Sequence, residues 1–172
     1  DLILHLISRF GASGGTGYAI EFAGSAIRAL PIEARFTLCN MAVEFGAWTG
    51  IVAPDETTFE YVRGRPFAPG PAIWDQAVAH WRTLASDPDA VFDREIEIDC
   101  TQLGPHITWG TSPQHGGNIG DAVPDPAAEP DQNRRQSMQR ALDYMGLAPG
   151  APLEGLPISA AFIGSCTNSR IS

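Results

Sequence analysis

The sequence predicts an α/β fold in which helices pack on small mixed or parallel sheets. Two observations predict it. Segments with apolar residues at helical spacing, such as "LILHLISRF" and "DETTFEYVRG", alternate with short β-prone runs, such as "YAIEF", "IVAP" and "LPISAAFIG". Hydrophobic residues make up 44% of 172 residues, enough for a buried core in one ordinary domain or two small ones.

The elements follow in chain order. "LILHLISRF" reads as a helix stopped by Gly11, and "GASGGTG" as a glycine-rich turn leading to a strand at "YAIEF". "GSAIRAL" is a short helix ending before Pro31. "PIEARFTLCNMAVEFGAWTG" starts a longer helix on that proline and is closed by Gly46 and Gly50. "IVAP" is a short buried strand, and Asp55 is placed to cap the helix "DETTFEYVRG". A Pro/Gly-rich linker, "GRPFAPGPAI", precedes the amphipathic helix "WDQAVAHWRTLASD", ended by Asp87-Pro88. "VFDREIEID" alternates as a strand should. "TWGTSPQHGGNIGDAVPDPAAEP" reads as a long loop, a length that is uncommon unless functional or mobile. "DQNRRQSMQRALDYMG" is a helix with Gly146 at its stop, and "LPISAAFIG" a buried strand before "SCTNS". A division follows, with one α/β domain over 1–90 and the start of a second over 91–172.

Charge excludes some functions. The net charge is -9, from 11 basic and 20 acidic residues. A duplex nucleic-acid binder or an anionic-membrane binder needs the opposite balance. All the basic residues are Arg, which reads as genome bias. No apolar run approaches a membrane span, and "DLILHLISRF" lacks the order of a signal peptide. Cys39, Cys100 and Cys166 are far apart with no CxxC pair. They form neither a disulfide framework nor a complete zinc site, and fit a reducing, cytoplasmic compartment. Without an initiator Met, both ends read as cuts through a longer protein.

Four features can carry chemistry. "GASGGTG" can cradle an anion on its N–H groups, but it lacks the GK[ST] of a P-loop and precedes its strand; a tight turn with positive φ is the plainer reading. In "CNMAVE", Asn40 and Glu44 are four residues apart and would share a helix face, where an amide and a carboxylate can position a water or a substrate hydroxyl; otherwise both are solvated. Cys39 and Cys100 read as small buried hydrophobes. His5 and His80 fall within helical patterns, and His106 and His115 in or near the long loop. None has ligand spacing, and His115 reads as solvated, with a ligand contact as the alternative. In "FIGSCTNS", Cys166 sits between a strand and the expected start of a helix, where a helix N-terminus favours a thiolate and open α/β sheets bind ligands.

Taken together, "GGTGYAIEFAGSAIRALPIEARFTLCNMAVEFGA", "VAPDETTFEYVRGRPFAP", "ITWGTSP", "ALDYMGL" and "FIGSCTNSRI" resemble, in order and over essentially the whole chain, the large subunits of bacterial 3-isopropylmalate dehydratases within the aconitase family. The resemblance implies aconitase-like α/β domains and an internal piece of such a subunit. It implies a [4Fe–4S] cluster held by three cysteines, the first matching Cys166 and the other two lying in a CxxC further on. Cys39 and Cys100 do not match ligand positions. Asn40 and Glu44 match residues near cluster and substrate: Glu44 would hydrogen-bond the reacting hydroxyl, and Asn40 would orient groups beside it. The implied reaction interconverts 2- and 3-isopropylmalate by dehydration and rehydration, in leucine biosynthesis, with a small-subunit partner. The piece alone is expected to be inactive. Trp48 stands where a smaller or basic residue is expected, and a related hydro-lyase for another substituted malate is the alternative. A non-catalytic anion-binding module resting on "GGTG" is the alternative from a different class.

Overall fold

In the computed structural model, which describes residues 1–165, 167 and 168, α1 (Leu2–Phe10) buries Ile3, Leu6 and Ile7 along one stripe. It stops where expected, the Gly11 N–H donating to the Ile7 carbonyl at 2.8 Å. The glycine-rich turn follows and leads into β1 (Ala19–Glu21). Short α2 (Ser25–Arg28) and α3 (Ile32–Met41) carry the chain across to β2 (Thr49–Ile51), which pairs parallel to β1 with Ile20 opposite Gly50.

The crossover helix lies hard against the sheet. A Cβ at Gly50 would stand 2.8 Å from the Ala42 Cβ and 2.9 Å from the Cys39 Cα. Only a residue without a side chain permits that approach. The first core forms here from Ile3, Leu6, Ile7, Ile27, Leu38 and Phe45.

Helix α4 (Glu56–Val62) begins as the sequence predicts, the Asp55 carboxylate accepting from the Thr58 N–H at 3.4 Å. The same carboxylate oxygen receives the Arg35 guanidinium of α3 at 2.6 Å. Arg35 is buried, and its remaining donors reach the Leu30 and Arg28 carbonyls at 3.1 and 2.9 Å. Asp55 therefore both caps α4 and ties it to α3. Helix α5 (Trp74–Trp81) passes into a 3-10 turn (Arg82–Leu84), three residues short of the expected stop at Asp87. Trp81 stacks on Phe59 with ring centroids 5.8 Å apart.

The second half builds an antiparallel hairpin of β3 (His106–Thr108) and β4 (Gly116–Asn118) and the capped helix α6 (Gln132–Met145). Its core is Trp109, Val123, Ala141, Leu142 and Leu153. Helix α1 packs against both strands of the hairpin as well as against α3. Asp131 caps α6, and Gly146 ends it in the left-handed conformation, at the stop expected from the sequence.

Four expectations are corrected. "VFDREIEID" is not a strand: residues 91–97 are exposed, and only Ile98 reaches the first core. The long loop after Trp109 holds β4 and a 3-10 turn (Pro126–Ala128), because the turn at Thr111–Gln114 folds the chain back onto β3. "LPISAAFIG" forms no strand and is not buried; Ile158, Phe162 and Ile163 are exposed. A strand exists through the hydrogen bonds of a neighbour, and among the described residues none lies beside this run. "IVAP" is shifted likewise: the strand begins at Thr49, and Ile51 is exposed.

Candidate functional site

Asn40 and Glu44 lie at the C-terminal end of α3, and both are exposed. The helix ends sooner than the sequence suggests. Met41 is its last residue, so Asn40 occupies the final turn and Glu44 the turn beyond. That turn stays tightly wound: the Phe45 N–H donates to the Met41 carbonyl at 3.3 Å, and the Gly46 and Ala47 N–H groups close on Val43 and Ala42 at 2.8 and 3.0 Å. Neither the Asn40 nor the Glu44 side chain makes a hydrogen bond or ion pair to another described residue. Both are free to meet a ligand.

What holds this turn is the glycine-rich segment. The Gly15 N–H donates to the Phe45 carbonyl at 2.9 Å. The Phe45 ring fills the space above Gly14, where a Cβ would lie 2.3 Å from Cε2. Two more N–H groups of the segment, from Gly14 and Thr16, donate to the carbonyls of Gly11 and Ser13, and the Ala12 N–H donates to the Gln114 Oε1. With most of its donors spent inside the protein, "GASGGTG" acts as a buttress for the turn bearing Glu44. The positive φ of Gly11 and Gly17 fits the tight turn that the sequence suggests.

Val43 and Trp48 flank Glu44 in sequence and are 62% and 80% exposed. Two large apolar residues on solvent beside a free carboxylate and amide give this end of α3 a mixed apolar and polar face.

Cys39 is half-buried, and burial pushes its thiol up from 9.0, so it has no thiolate character. Cys100 is half-buried, its Sγ 3.7 Å from the Ile98 carbonyl. Cys166 falls outside the described residues. Among the described residues no group of three or more His, Cys, Asp and Glu side chains could hold a metal ion. The described residues therefore do not by themselves fit an iron–sulfur cluster.

The histidines divide differently from the sequence reading. His80 is exposed on α5, and His5 is half-buried on α1, its ring edge-on to His106 at 5.2 Å. His106 is buried in β3. His115, expected to be solvated, is only 4% exposed, stacks on Trp109 at 5.1 Å, and meets the Ser137 Oγ through Nε2 at 3.3 Å. The reason is the turn that folds residues 109–118 back on themselves, with the Trp109 N–H donating to the His115 carbonyl. A Trp six residues from a His across a proline-containing turn was the available signal.

The aconitase (aconitate hydratase) family pattern matches this chain over residues 1–172. The chain belongs to the aconitase family. Among curated relatives, family member and chain are 59% identical over all 172 residues for the 3-isopropylmalate dehydratase large subunit 1 of Bradyrhizobium diazoefficiens, covering 36% of that protein. The large subunit of Cupriavidus necator is 62% identical over 152 residues, 88% of the chain and 57% of that protein. That of Bifidobacterium longum is 53% identical over 171 residues, 99% of the chain and 37% of that protein. The chain thus spans between about a third and three fifths of these relatives' lengths. Aconitase family members generally bind a [4Fe–4S] cluster. No helix among the described residues is long and apolar enough to cross a membrane.

Proposed function

We propose that this chain is part of a 3-isopropylmalate dehydratase large subunit. The activity is that of a hydro-lyase, which moves the hydroxyl of 2-isopropylmalate to the neighbouring carbon by dehydration and rehydration, in leucine biosynthesis. The observation that carries the reading is 59% identity, without a break in coverage, to a protein of that name.

The exposed pair at the end of α3 supports it. In this reading Glu44 accepts a hydrogen bond from the hydroxyl that leaves and returns, and Asn40 orients groups beside it. Buttressing by Gly14, Gly15 and Phe45 matters because hydrogen-bonding groups must be held in place before the reaction begins. Removal of the proton α to a carboxylate needs a base, a role assigned to neither residue. Val43 and Trp48 offer apolar surface suited to a branched alkyl group.

Cys166 is proposed as one of three cysteine ligands of a [4Fe–4S] cluster. When bound, such a cluster with one iron free of protein supplies a Lewis acid. The other ligands are not in this chain, whose remaining cysteines are Cys39 and Cys100. The relatives' name, "large subunit", supports a small-subunit partner, and a biosynthetic role supports the cytoplasm as location. We also divide the chain near residue 90. Two separate apolar clusters, one within residues 3–45 and one within 109–153, support that division.

Anaerobic reconstitution of the complete gene product with iron and sulfide, assayed with its small subunit on 2-isopropylmalate, tests the reading. Turnover together with a cubane absorption spectrum is expected, and Cys166→Ser should abolish both. A reconstituted protein that leaves isopropylmalate untouched while hydrating another substituted malate would overturn the substrate assignment. The 172-residue chain alone should show no turnover.

A further inference from the structure

Away from the end of α3, a second cavity of about 210 Å³ opens where α1, the β3–β4 hairpin and the start of α6 meet. Its walls include Gln114, Glu129, Arg134 and Ser137, with buried His115 against Trp109. Polar groups therefore crowd a small space, as binding sites for small polar ligands require.

Three of the residues lining it carry unused hydrogen-bonding groups. The Arg134 guanidinium makes no hydrogen bond or ion pair with any described residue, although its own backbone N–H is held by Asp131. The Gln114 Oε1 accepts from the Ala12 N–H at 3.2 Å, which fixes the carboxamide and leaves its NH₂ unspent. Both head groups reach Gly11: a Cβ there would lie 3.6 Å from the Arg134 Nη2 and 3.8 Å from the Gln114 Oε1. Glu129 accepts from the Asp131 N–H at 3.0 Å through Oε1, leaving its second oxygen free. Arg134 and Glu129 line one cavity yet form no ion pair with each other.

We propose that this cavity binds a small oxyanion that also carries a protonated oxygen, with hydrogen phosphate as the simplest example. Arg134 and the Gln114 amide donate to the anionic oxygens, for which a guanidinium fork is well suited. The free Glu129 oxygen accepts the ligand's O–H. A carboxylate in the site rejects an anion that has no proton to offer, so sulfate, fully ionised at neutral pH, is excluded. Ser137, which meets the His115 Nε2 at 3.3 Å, completes the wall.

Isothermal titration of the complete gene product with sodium phosphate and with sodium sulfate, at matched ionic strength, tests this. The wild type should bind phosphate and bind sulfate at least tenfold more weakly. Arg134→Gln, a change at an exposed position, should weaken phosphate binding at least tenfold with an unchanged circular dichroism spectrum. Arg140→Gln, on the same helix but outside the cavity, should bind as the wild type does. Glu129→Gln should narrow the gap between phosphate and sulfate. Phosphate binding that is equal in wild type and Arg134→Gln overturns the site. Equal binding of sulfate and phosphate by the wild type overturns the selectivity.

Discussion

The Gly15 N–H donates to the Phe45 carbonyl across 2.9 Å, which joins the glycine-rich turn to the residue directly after Glu44. Two segments thirty residues apart are thereby made one unit. The first has no side chains to spare, and the second carries the candidate catalytic carboxylate.

Gly14→Ala tests that link. The new methyl would lie 2.3 and 2.5 Å from the Phe45 Cε2 and Cζ. Overpacking of this kind costs about 1–3 kcal/mol. A fall in unfolding free energy of about 2 kcal/mol is expected from urea titration, with a loss of turnover in the reconstituted enzyme as the Glu44 turn moves. Ser13→Ala, at an exposed neighbour, should change stability by less than about 0.5 kcal/mol.

Asp55 gives a second test, through pH. The hydrogen bond from Arg35 holds its carboxyl below the ordinary 3.8, against a smaller opposing effect of burial. Near pH 3.8 the unfolded chain then binds more protons than the native one, so stability rises with pH. The contribution is fully present above 3.8 and is lost as pH falls through the lower native value. Asp55→Asn should flatten the stability profile below pH 4. It should also cost about 2 kcal/mol at pH 7, since it strands the buried Arg35 charge. That figure is set below the value for a fully buried pair because the Asp55 side chain is 34% exposed and solvent screens it.

Legibility in the sequence followed the range of the forces involved. Three helix ends were readable, because Gly11, Asp55 and Gly146 act on their own neighbours. Strands were less so, because pairing is decided elsewhere in the chain: "YAIEF" does hold β1, while "IVAP" meets β2 only at Ile51. "VFDREIEID" alternates convincingly and "LPISAAFIG" is apolar throughout, yet neither is given a partner by the described residues. Asn40 and Glu44 were identifiable from "CNMAVE" and the family resemblance, but the early end of α3 at Met41 was not. That end is imposed by the contact of Phe45 with Gly14 and Gly15, distant in sequence. The burial of His115 was hidden for the same reason, since it follows from the hairpin closing over it.

Glu44→Gln and Asn40→Ala separate function from stability. Both side chains are exposed and bond to no other described residue, so each variant should unfold within about 0.5 kcal/mol of wild type. If they serve the reaction as proposed, turnover by the reconstituted enzyme should fall about 100-fold or more for Glu44→Gln. Substitution of Asn40, an orienting group, should cost less. Full activity in Glu44→Gln would remove it from the candidate site.

His115 provides a test in a different pH window from that of Asp55. Burial pulls its pKa below the ordinary 6.5, so the native ring stays neutral where the unfolded ring takes a proton. As pH falls from 6.5 toward the native value, the unfolded state binds the extra proton and stability declines. Half-buried His5 is lowered too, by burial first and then by its neighbours His106 and Arg9, so it adds to the same slope. His115→Gln should therefore reduce, without abolishing, the loss of stability between pH 7 and 5.5. At pH 7.5 it should cost about 1–2 kcal/mol, through the lost stacking on Trp109 and the altered bond to Ser137. Because the Asp55 slope lies below pH 4, the two variants should alter the slope in separate parts of one stability curve. A His115→Gln protein with the full wild-type slope between pH 7 and 5.5 would show that the ring is protonated, and hence solvated, in the native state.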